Sequence, residues 1–277
     1  MYQILSRQNL APNIHQFEIA APRIARKARP GQFVILMVDE KGERIPLTIA
    51  GWDREKGSVT IVFNEVGTTT HKLADLQAGE AVFSFAGPLG LPAEIDNFGT
   101  VITVTVGYSV ATIVPVVNAL KEAGNRIIDI MRAPTSDTIF GEERLGSITD
   151  RLVVVTGDAS LDGSGFVLKP LEEILKSESV DRVITIGPVC VMRLVAATTR
   201  PYGVKTIASL NPIMVDGTGM CGCCRVTVGG ETRFACVDGP EFDAHEVDWQ
   251  SLMARRCTYA STEQTLARYR CLDCAQW

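Results

Sequence analysis

The amino-acid sequence predicts a β-barrel followed by an α/β sheet and a cysteine-rich C-terminal loop. Short apolar runs separated by turn residues fill residues 1–98, and strand and helix patterns alternate over residues 99–210. Cysteines concentrate after residue 210, in a cluster segment at 211–250 and a helical tail at 251–277. A chain of 277 residues has material for about two cores.

β-branched and aromatic residues dominate five runs in residues 1–98. The runs are IHQFEIA, QFVILMV, RIPLTIAG, SVTIVFN and EAVFSFAG. Turn dipeptides such as Lys56–Gly57 and Gly87–Pro88 separate them. This pattern predicts a small antiparallel barrel.

Residues 99–210 open with the strand pattern VITVTV at 101–106. Helical spacing follows, with one apolar face formed by Val110, Ile113, Val114, Val117 and Leu120. Further strand patterns lie at 126–131, 152–157, 182–187 and 204–210, and helical patterns at 165–177 and 189–200. Such alternation predicts a Rossmann-like parallel sheet with helices on its faces.

Charge and composition exclude several function classes. The net charge of −5 disfavours a nucleic-acid partner held by a basic face. The N-terminus lacks the pattern of a secretory signal, and no apolar run reaches the 18 residues of a membrane span. We therefore expect a cytoplasmic protein whose eight cysteines do not form structural disulfides. The clustered cysteines indicate metal chemistry, and Cys190, alone in an apolar stretch, is expected to be a small buried hydrophobe.

The cysteine-rich segment has the spacing Asp216-x4-Cys221-x2-Cys224-x11-Cys236. Plant-type [2Fe–2S] centres use Cys-x4-Cys-x2-Cys and a distant cysteine, so Asp216 stands where the first cysteine would be. Glycines at 217, 219 and 222 permit the positive φ angles of a tight loop around a cluster.

Two alternatives remain open at this point. Asp216 could be a turn acid, with Cys223 or a tail cysteine as the fourth ligand. A zinc site could use Cys221, Cys224 and Cys236 with one further cysteine. The candidates for that fourth position are Cys257, Cys271 and Cys274. The Cys271-x-x-Cys274 pair also fits a second metal site, a redox dithiol or an accident of composition.

Residues 199–248 resemble the small subunit of NADH-dependent reduced ferredoxin:NADP oxidoreductase, also known as the sulfide dehydrogenase β subunit. That group is related to the electron-transfer subunit of dihydroorotate dehydrogenase and, more distantly, to ferredoxin–NADP reductases. The resemblance covers residues 1 to about 255. It implies FAD on the barrel, a nicotinamide nucleotide on the α/β domain, and [2Fe–2S] ligands at Asp216, Cys221, Cys224 and Cys236.

The resemblance also implies an FAD site built from two segments. The family's Arg-x-Pro-Leu-Thr element falls on residues 44–48, where Arg44 would neutralise the FAD pyrophosphate. Pro46, Leu47 and Thr48 would pack along the isoalloxazine. The family's phosphate-binding turn falls on residues 66–70, which places Gly67, Thr68, Thr69 and Thr70 at the phosphates, with Thr68 replacing the usual lysine.

The nucleotide segment departs from the family pattern. The family's glycine-rich loop corresponds to residues 105–112, which keep Gly107 and Ala111 but place Thr105, Val106 and Tyr108 where a phosphate needs space. The segments at 132–134 and 156–160 also differ. A Gly-Pro-x-x-x-Met element persists as Gly187, Pro188 and Met192. We therefore expect NAD(P)H binding to be weakened or lost.

The residues and the resemblance together predict an oxidoreductase subunit that passes electrons between FAD and a [2Fe–2S] cluster. The resemblance implies a larger flavin/iron–sulfur subunit as partner, and it is compatible with further redox subunits in the same complex. Two other functions are compatible with the sequence: a fully active NAD(P)H:ferredoxin-type reductase subunit and a zinc-binding scaffold subunit.

Overall fold

The computed structural model describes residues 1–133, 139–156 and 168–259. Its first unit contains seven strands and two short helices. They are β1 Tyr2–Ala11, β2 Ile14–Ala20, α1 Pro22–Ala25, β3 Phe33–Met37, β4 Ile45–Asp53, β5 Ser58–Asn64, α2 Thr68–Asp75, β6 Ala81–Val82 and β7 Ser84–Leu89.

These strands form one antiparallel sheet in the order β6-β1-β2-β5-β4-β3-β7. The edge strands β6 and β7 are separated in the chain by Phe83 alone, so the sheet curls into a nearly closed barrel. Its interior is filled by large apolar side chains, with Phe17 and Phe63 packed edge to face at 5.1 Å between ring centroids. The predicted barrel is confirmed.

The second unit is a six-stranded sheet with helices on both faces, and its sixth strand comes from the C-terminal part of the chain. Its elements are β8 Thr100–Val106, α3 Ser109–Glu122, β9 Arg126–Ala133, α4 Glu142–Ile148, β10 Arg151–Thr156, α5 Leu168–Ser177, β11 Arg182–Ile186, α6 Val189–Thr199 and β12 Lys205–Ser209. The predicted face of α3 is buried along its whole length. Separate apolar cores on the two sides of the sheet confirm the predicted Rossmann-like architecture.

The C-terminal part adds β13 Arg225–Val228, β14 Glu231–Phe234, β15 Glu241–Asp243 and α7 Trp249–Arg256. The sheet order is β10-β9-β8-β11-β12-β15, parallel except that β15 pairs antiparallel with β12. The segment predicted to carry the cluster therefore also supplies an edge strand to the α/β sheet. Its hydrogen bonds with β12 attach the C-terminal part to the α/β sheet.

Several elements were missing from the prediction, among them β1, α2 and α4. Strand β1 mixes polar and apolar residues because much of it is exposed, and α2 and α4 are short helices. Among the described residues the longest helix, α3, has 14 residues, and no helix there has the length and apolar character needed to cross a membrane. The tail cysteines Cys271 and Cys274 lie outside the described residues, as do most of the predicted segment at 156–160 and Pro134.

Candidate functional site

Two cysteines of the predicted cluster meet at the base of the β13–β14 hairpin. Cys224 precedes β13, Cys236 follows β14, and the amide of Ala235 donates to the carbonyl of Cys224 at 3.1 Å. This antiparallel pairing brings the two sulfur atoms to 3.2 Å, and both side chains are buried. The hairpin itself therefore explains why residues twelve apart become neighbours.

Burial governs the chemistry of this pair. It raises the pKa of Cys236 to about 12, and the neighbouring Cys224 thiol acts in the same direction. The two sulfurs lie in an apolar core shared with the barrel residues Phe33 and Ile35. A metal centre there would replace the two protons and keep both thiolates out of water.

The loop before the hairpin, residues 211–222, is called the cluster loop below. Its glycines at 217, 219 and 222 all have positive φ, as the sequence predicted. A Cβ atom on Gly217 would lie 2.7 Å from Ile35 Cγ1 and 2.9 Å from Leu89 Cδ1. The cluster loop therefore packs directly on β3 and β7 of the barrel.

Asp216 organises the cluster loop. Its Oδ2 atom accepts hydrogen bonds from the amides of Thr218 at 2.9 Å and Met220 at 3.4 Å, and from the Thr218 hydroxyl. The Thr218 hydroxyl and amide lower the pKa of this carboxyl group, so it is held as a carboxylate. The turn-acid role left open by the sequence is thus present, and iron ligation by Asp216 stays a prediction.

Cys221 is exposed on the same loop, whereas Cys223 is half-buried. Backbone amides of Cys223 and Asp216 lower the pKa of Cys221, and the hydrogen bond with Cys221 raises the pKa of Cys223. The more acidic thiol is thus the one that the family spacing marks as a ligand.

The cysteines of the cluster segment are a donor set for an iron–sulfur cluster rather than for a single metal ion. In the described parts of the chain, no three or more His, Cys, Asp or Glu side chains converge on a single metal position. A [2Fe–2S] cluster is larger, because its four protein ligands are shared between two iron atoms. Two buried thiols and a third with a lowered pKa on the adjoining loop are the soft donors such a cluster takes. The residues fit the group.

On the barrel, Arg44 lies just before β4 and reaches the cluster loop. Its Nε donates to the carbonyl oxygen of Val215 at 2.8 Å, and Nη2 to that of Asp216 at 3.4 Å. The sequence predicts a contact with the FAD pyrophosphate for this residue, and the link to the cluster loop was not foreseen. Because the bonded residues are 171 and 172 positions apart, no local pattern could have shown it.

The other predicted flavin residues lie on β4 and at the start of α2. Pro46, Leu47 and Thr48 pair with β3 and are partly exposed. Their accessible surface suits contact with a planar ring system.

Gly67 precedes α2, and the Thr70 hydroxyl caps this helix by accepting from the amides of Val66 and Gly67 at 2.9 and 3.0 Å. The Thr69 hydroxyl donates to Glu43 at 2.5 Å, and Thr68 is exposed. The first amides of a helix have no partner within it, so those of Thr68 and Thr69 suit a phosphate.

The nucleotide edge comprises the turn after β8 together with the first residue of α3, residues 107–109, and the turn after β11, residues 187–188. The Ser109 hydroxyl lies 2.9 Å from the Val106 amide, 2.8 Å from the Val106 carbonyl and 2.9 Å from the Ile186 carbonyl. It therefore links the ends of two neighbouring strands at the position where the family has a glycine-rich loop. Gly107 keeps a positive φ of 62°.

The structure corrects which side chains crowd this edge. Thr105 and Val106 are buried within β8, so of the three residues singled out only Tyr108 stands at the open edge, 41% exposed. Met192 is fully buried in the core between α6 and β12. Gly187 and Pro188 are half-buried at the edge itself. A nicotinamide role for Gly107, Gly187, Pro188 and Met192 stays a prediction.

With this geometry in view, the chain was compared with known proteins. A model of the iron–sulfur cluster binding domain of dihydroorotate dehydrogenase B matches residues 211–248. A protein of Thermotoga maritima, described as a dihydroorotate dehydrogenase B (NAD(+)) electron transfer subunit homolog, is 42% identical over 262 residues, which are 95% of this chain and 93% of the relative.

The chain belongs to the family of dihydroorotate dehydrogenase B electron-transfer subunits and their homologues. A second relative, from Clostridium beijerinckii, is described as an uncharacterized protein in the adh 3′ region. It is 45% identical over 275 residues, which cover 95% of this chain and 92% of the relative.

Two solved structures are similar to this chain, one in sequence and fold and the other in fold alone. The structure of an NADH-dependent reduced ferredoxin-NADP oxidoreductase, studied for flavin-based electron bifurcation, has a TM-score of 0.89 and 41% identity, covering 97% of this chain and 96% of that one. Phthalate dioxygenase reductase has a TM-score of 0.58 and 15% identity, covering 82% and 85%, and shows the fold alone. The predicted family and the oxidoreductase electron-transfer class are confirmed. FAD and a [2Fe–2S] cluster are the cofactors that these comparisons support.

Proposed function

We propose that this chain is the electron-transfer subunit of an oxidoreductase complex, holding FAD on the barrel and a [2Fe–2S] cluster at the cluster loop. Bound FAD exchanges two electrons or a hydride, whereas the cluster exchanges one electron at a time. The chain's own residues bind both groups and fix their relative position. No general acid or base is needed for such transfer.

One observation carries this proposal: the cluster loop packs on the barrel strands that adjoin the flavin elements. Gly217 contacts the side chains of Ile35 and Leu89, and Cys224 and Cys236 share a core with Phe33 and Ile35. Strand β4, which carries the predicted flavin residues, pairs with β3. The two predicted cofactor sites are therefore built on neighbouring strands, as electron transfer between them requires.

We assign Asp216, Cys221, Cys224 and Cys236 as the cluster ligands within this proposal. Arg44, residues 46–48 and residues 67–70 form the flavin site, and the boundaries at 98, 210 and 250 separate the functional segments. Four thiols of the cluster segment are free in the structure, as a metal centre there requires. Cys257 is disulfide-bonded, so the expectation that the cysteines form no disulfides is wrong for this residue. A cytoplasmic location stays part of the proposal.

A larger flavin/iron–sulfur subunit completes the proposed complex. The name of the Thermotoga maritima relative describes a subunit of a larger enzyme, and the exposed Cys221 places the cluster loop at the molecular surface. Co-purification of the native complex with a full cofactor inventory identifies that subunit and any further redox subunits.

The cofactor content tests the proposal directly. Anaerobically purified full-length protein should contain flavin, iron and acid-labile sulfide, and should give a [2Fe–2S] EPR signal after dithionite reduction. A colourless protein containing zinc would overturn the proposal and favour the zinc-binding scaffold instead.

The nucleotide edge supports weakened NAD(P)H binding as part of the proposal. Its turn is closed by Ser109, which bonds both flanking strands, and carries the Tyr108 side chain. Titration of the flavin-loaded chain with NADH and NADPH should show no micromolar binding and no flavin reduction on mixing. Tight binding with rapid reduction would instead identify a fully active NAD(P)H-dependent reductase subunit.

A further inference from the structure

Arg44 connects the barrel to the cluster loop through two hydrogen bonds and also contacts the end of β3. Its Nε and Nη2 atoms donate to the carbonyl oxygens of Val215 and Asp216 at 2.8 and 3.4 Å, and Nη1 lies 3.8 Å from the sulfur of Met37. Arginine presents these donors in a rigid planar fork, so both carbonyl contacts can form at once. The side chain therefore fastens β3 and the approach to β4 to the first half of the cluster loop.

The bonded carbonyls belong to the residues immediately before Gly217, where the loop packs on the barrel. The Gly217 backbone packs against Ile35 and Leu89, with no space for a side chain of its own. Arg44 supplies the polar half of the same attachment. Val215 itself is 44% exposed, so its own side chain contributes little to holding this turn.

We propose that Arg44 is a positioning residue for flavin-to-cluster electron transfer, which clamps the cluster loop to the barrel and keeps a positive charge beside the cluster. This inference rests on the proposed function. The guanidinium stays charged at every working pH. Reduction adds one negative charge to a cluster, so a fixed positive charge nearby favours the reduced form and raises its reduction potential.

The clamp explains why an arginine, and not a lysine, suits this position even apart from any flavin contact. A lysine would keep the charge, but its single ammonium group cannot reproduce the planar fork that meets two successive carbonyls. Arg225 offers a matched comparison, since its Nη1 donates to the carbonyl oxygen of Gly222 on the same loop at 3.1 Å, and among the described residues no side-chain hydrogen bond joins it to the barrel.

The test uses the full-length chain and the variants Arg44→Met, Arg44→Lys and Arg225→Met, each loaded anaerobically and assayed for flavin, iron and sulfide. EPR-monitored redox titration reports the cluster potential. Hydrogen–deuterium exchange of peptides covering residues 212–220 reports the attachment of the loop and needs no cofactor.

For Arg44→Met we expect the ratio of reduced to oxidised cluster at fixed potential to fall about tenfold, a shift of about 59 mV for one electron. We also expect at least about tenfold faster exchange in the loop. Arg44→Lys should recover most of the potential while retaining faster exchange, and Arg225→Met should exchange like the wild type at 212–217.

Wild-type potential and exchange in Arg44→Met would overturn the inference, even if that variant loses FAD. Equal loosening of residues 212–217 in Arg225→Met would also overturn it, because the barrel contact would then be irrelevant. If wild-type protein binds no cluster, the proposed function fails. The exchange measurements still decide separately whether the clamp exists.

Discussion

The cluster loop and the nucleotide edge use glycine in opposite ways. In the cluster loop, a Cβ atom on Gly217 would lie 2.7 Å from Ile35, so tertiary packing demands glycine there. At the nucleotide edge, Gly107 has open space around its Cα, and a serine hydroxyl two residues later closes the turn. The comparison shows that close packing requires glycine at position 217, whereas at position 107 only the positive φ favours it, and that one hydroxyl group closes the turn at the nucleotide edge.

The largest expected effect concerns the buried sulfur pair. Cys236→Ser should reduce bound iron and visible absorbance at least about tenfold, because the buried hydroxyl is a harder and weaker donor beside Cys224 than a thiolate is. Cys223→Ser is the matched control, since this half-buried residue lies outside the proposed ligand set. Iron and sulfide analysis measures both. Equal cluster loss in the two variants would contradict the assignment of Cys236, and not Cys223, as a cluster ligand.

The second prediction compares the two glycines themselves. Gly217→Ala should lower the free energy of unfolding by about 3 kcal/mol, since its Cβ meets Ile35 and Leu89 in a backbone with φ of 83°. Gly107→Ala, with φ of 62° and no neighbouring atom within 4 Å, should cost only about 1 kcal/mol. Urea unfolding of both variants measures the difference. Similar costs would show that the cluster loop does not need the close packing.

The third prediction concerns Asp129, which lies fully buried in the α/β sheet. It accepts hydrogen bonds from the hydroxyls of Thr103 and, at 3.5 Å, Thr105, yet burial raises the pKa of Asp129 from 3.8 to about 7. Between pH 4 and 7 the folded protein keeps a proton that the unfolded chain has lost. Stability contributed by this group therefore falls as pH rises through that window and is lowest above pH 7.

Asp129→Asn should remove this cost and raise the free energy of unfolding at pH 8 by about 2 kcal/mol. The gain should shrink towards zero as the pH falls below 3.8, the ordinary pKa of this group, where both states of the wild type become protonated. Urea unfolding at pH 4, 6 and 8 measures the slope. A pH-independent difference between variant and wild type would contradict the burial of an ionisable group.

The smallest expected effect is at the closed turn of the nucleotide edge. Ser109→Ala leaves the buried Val106 amide without its acceptor, which should lower the free energy of unfolding by about 1 kcal/mol. Ser147→Ala is the matched control, because the exposed Ser147 hydroxyl only donates to Arg144 within its helix, and we expect less than about 0.5 kcal/mol there. Equal thermal shifts for the two would mean that Ser109 does not hold the strands together.

Much of the fold could be predicted from local pattern. Strands β2 and β5 begin and end where the sequence predicts, because alternating β-branched and aromatic residues mark both. The segment Thr68–Asp75 was missed as a helix, since its run of threonines has low helix propensity. The cap formed by Gly67 and Thr70 stabilises it nonetheless, and a glycine followed three residues later by a side-chain acceptor was the available signal.

Only part of the candidate site could be predicted from local sequence. The turn role of Asp216 depends on residues two and four positions away, so the sequence could anticipate it. Thr105 and Val106 were misplaced at the nucleotide edge although the predicted strand at 101–106 already contained them, because matching the family's glycine-rich loop to residues 105–112 extended that loop into β8. Glu43, the partner of the Thr69 hydroxyl, had no sequence signal, because 26 residues separate the two.

The sequence by itself determined the order of barrel, α/β sheet and cluster loop, and the sulfur spacing of the proposed iron site. Periodicity, turn residues and cysteine spacing are local properties, which backbone hydrogen bonding and side-chain burial convert directly into strands, helices and loops. Only the tertiary structure decided that Arg44 holds the cluster loop, that Ser109 joins β8 to β11, and that Asp129 is buried. Such contacts join distant residues, and they form only when many other contacts together offset the entropy of closing long loops.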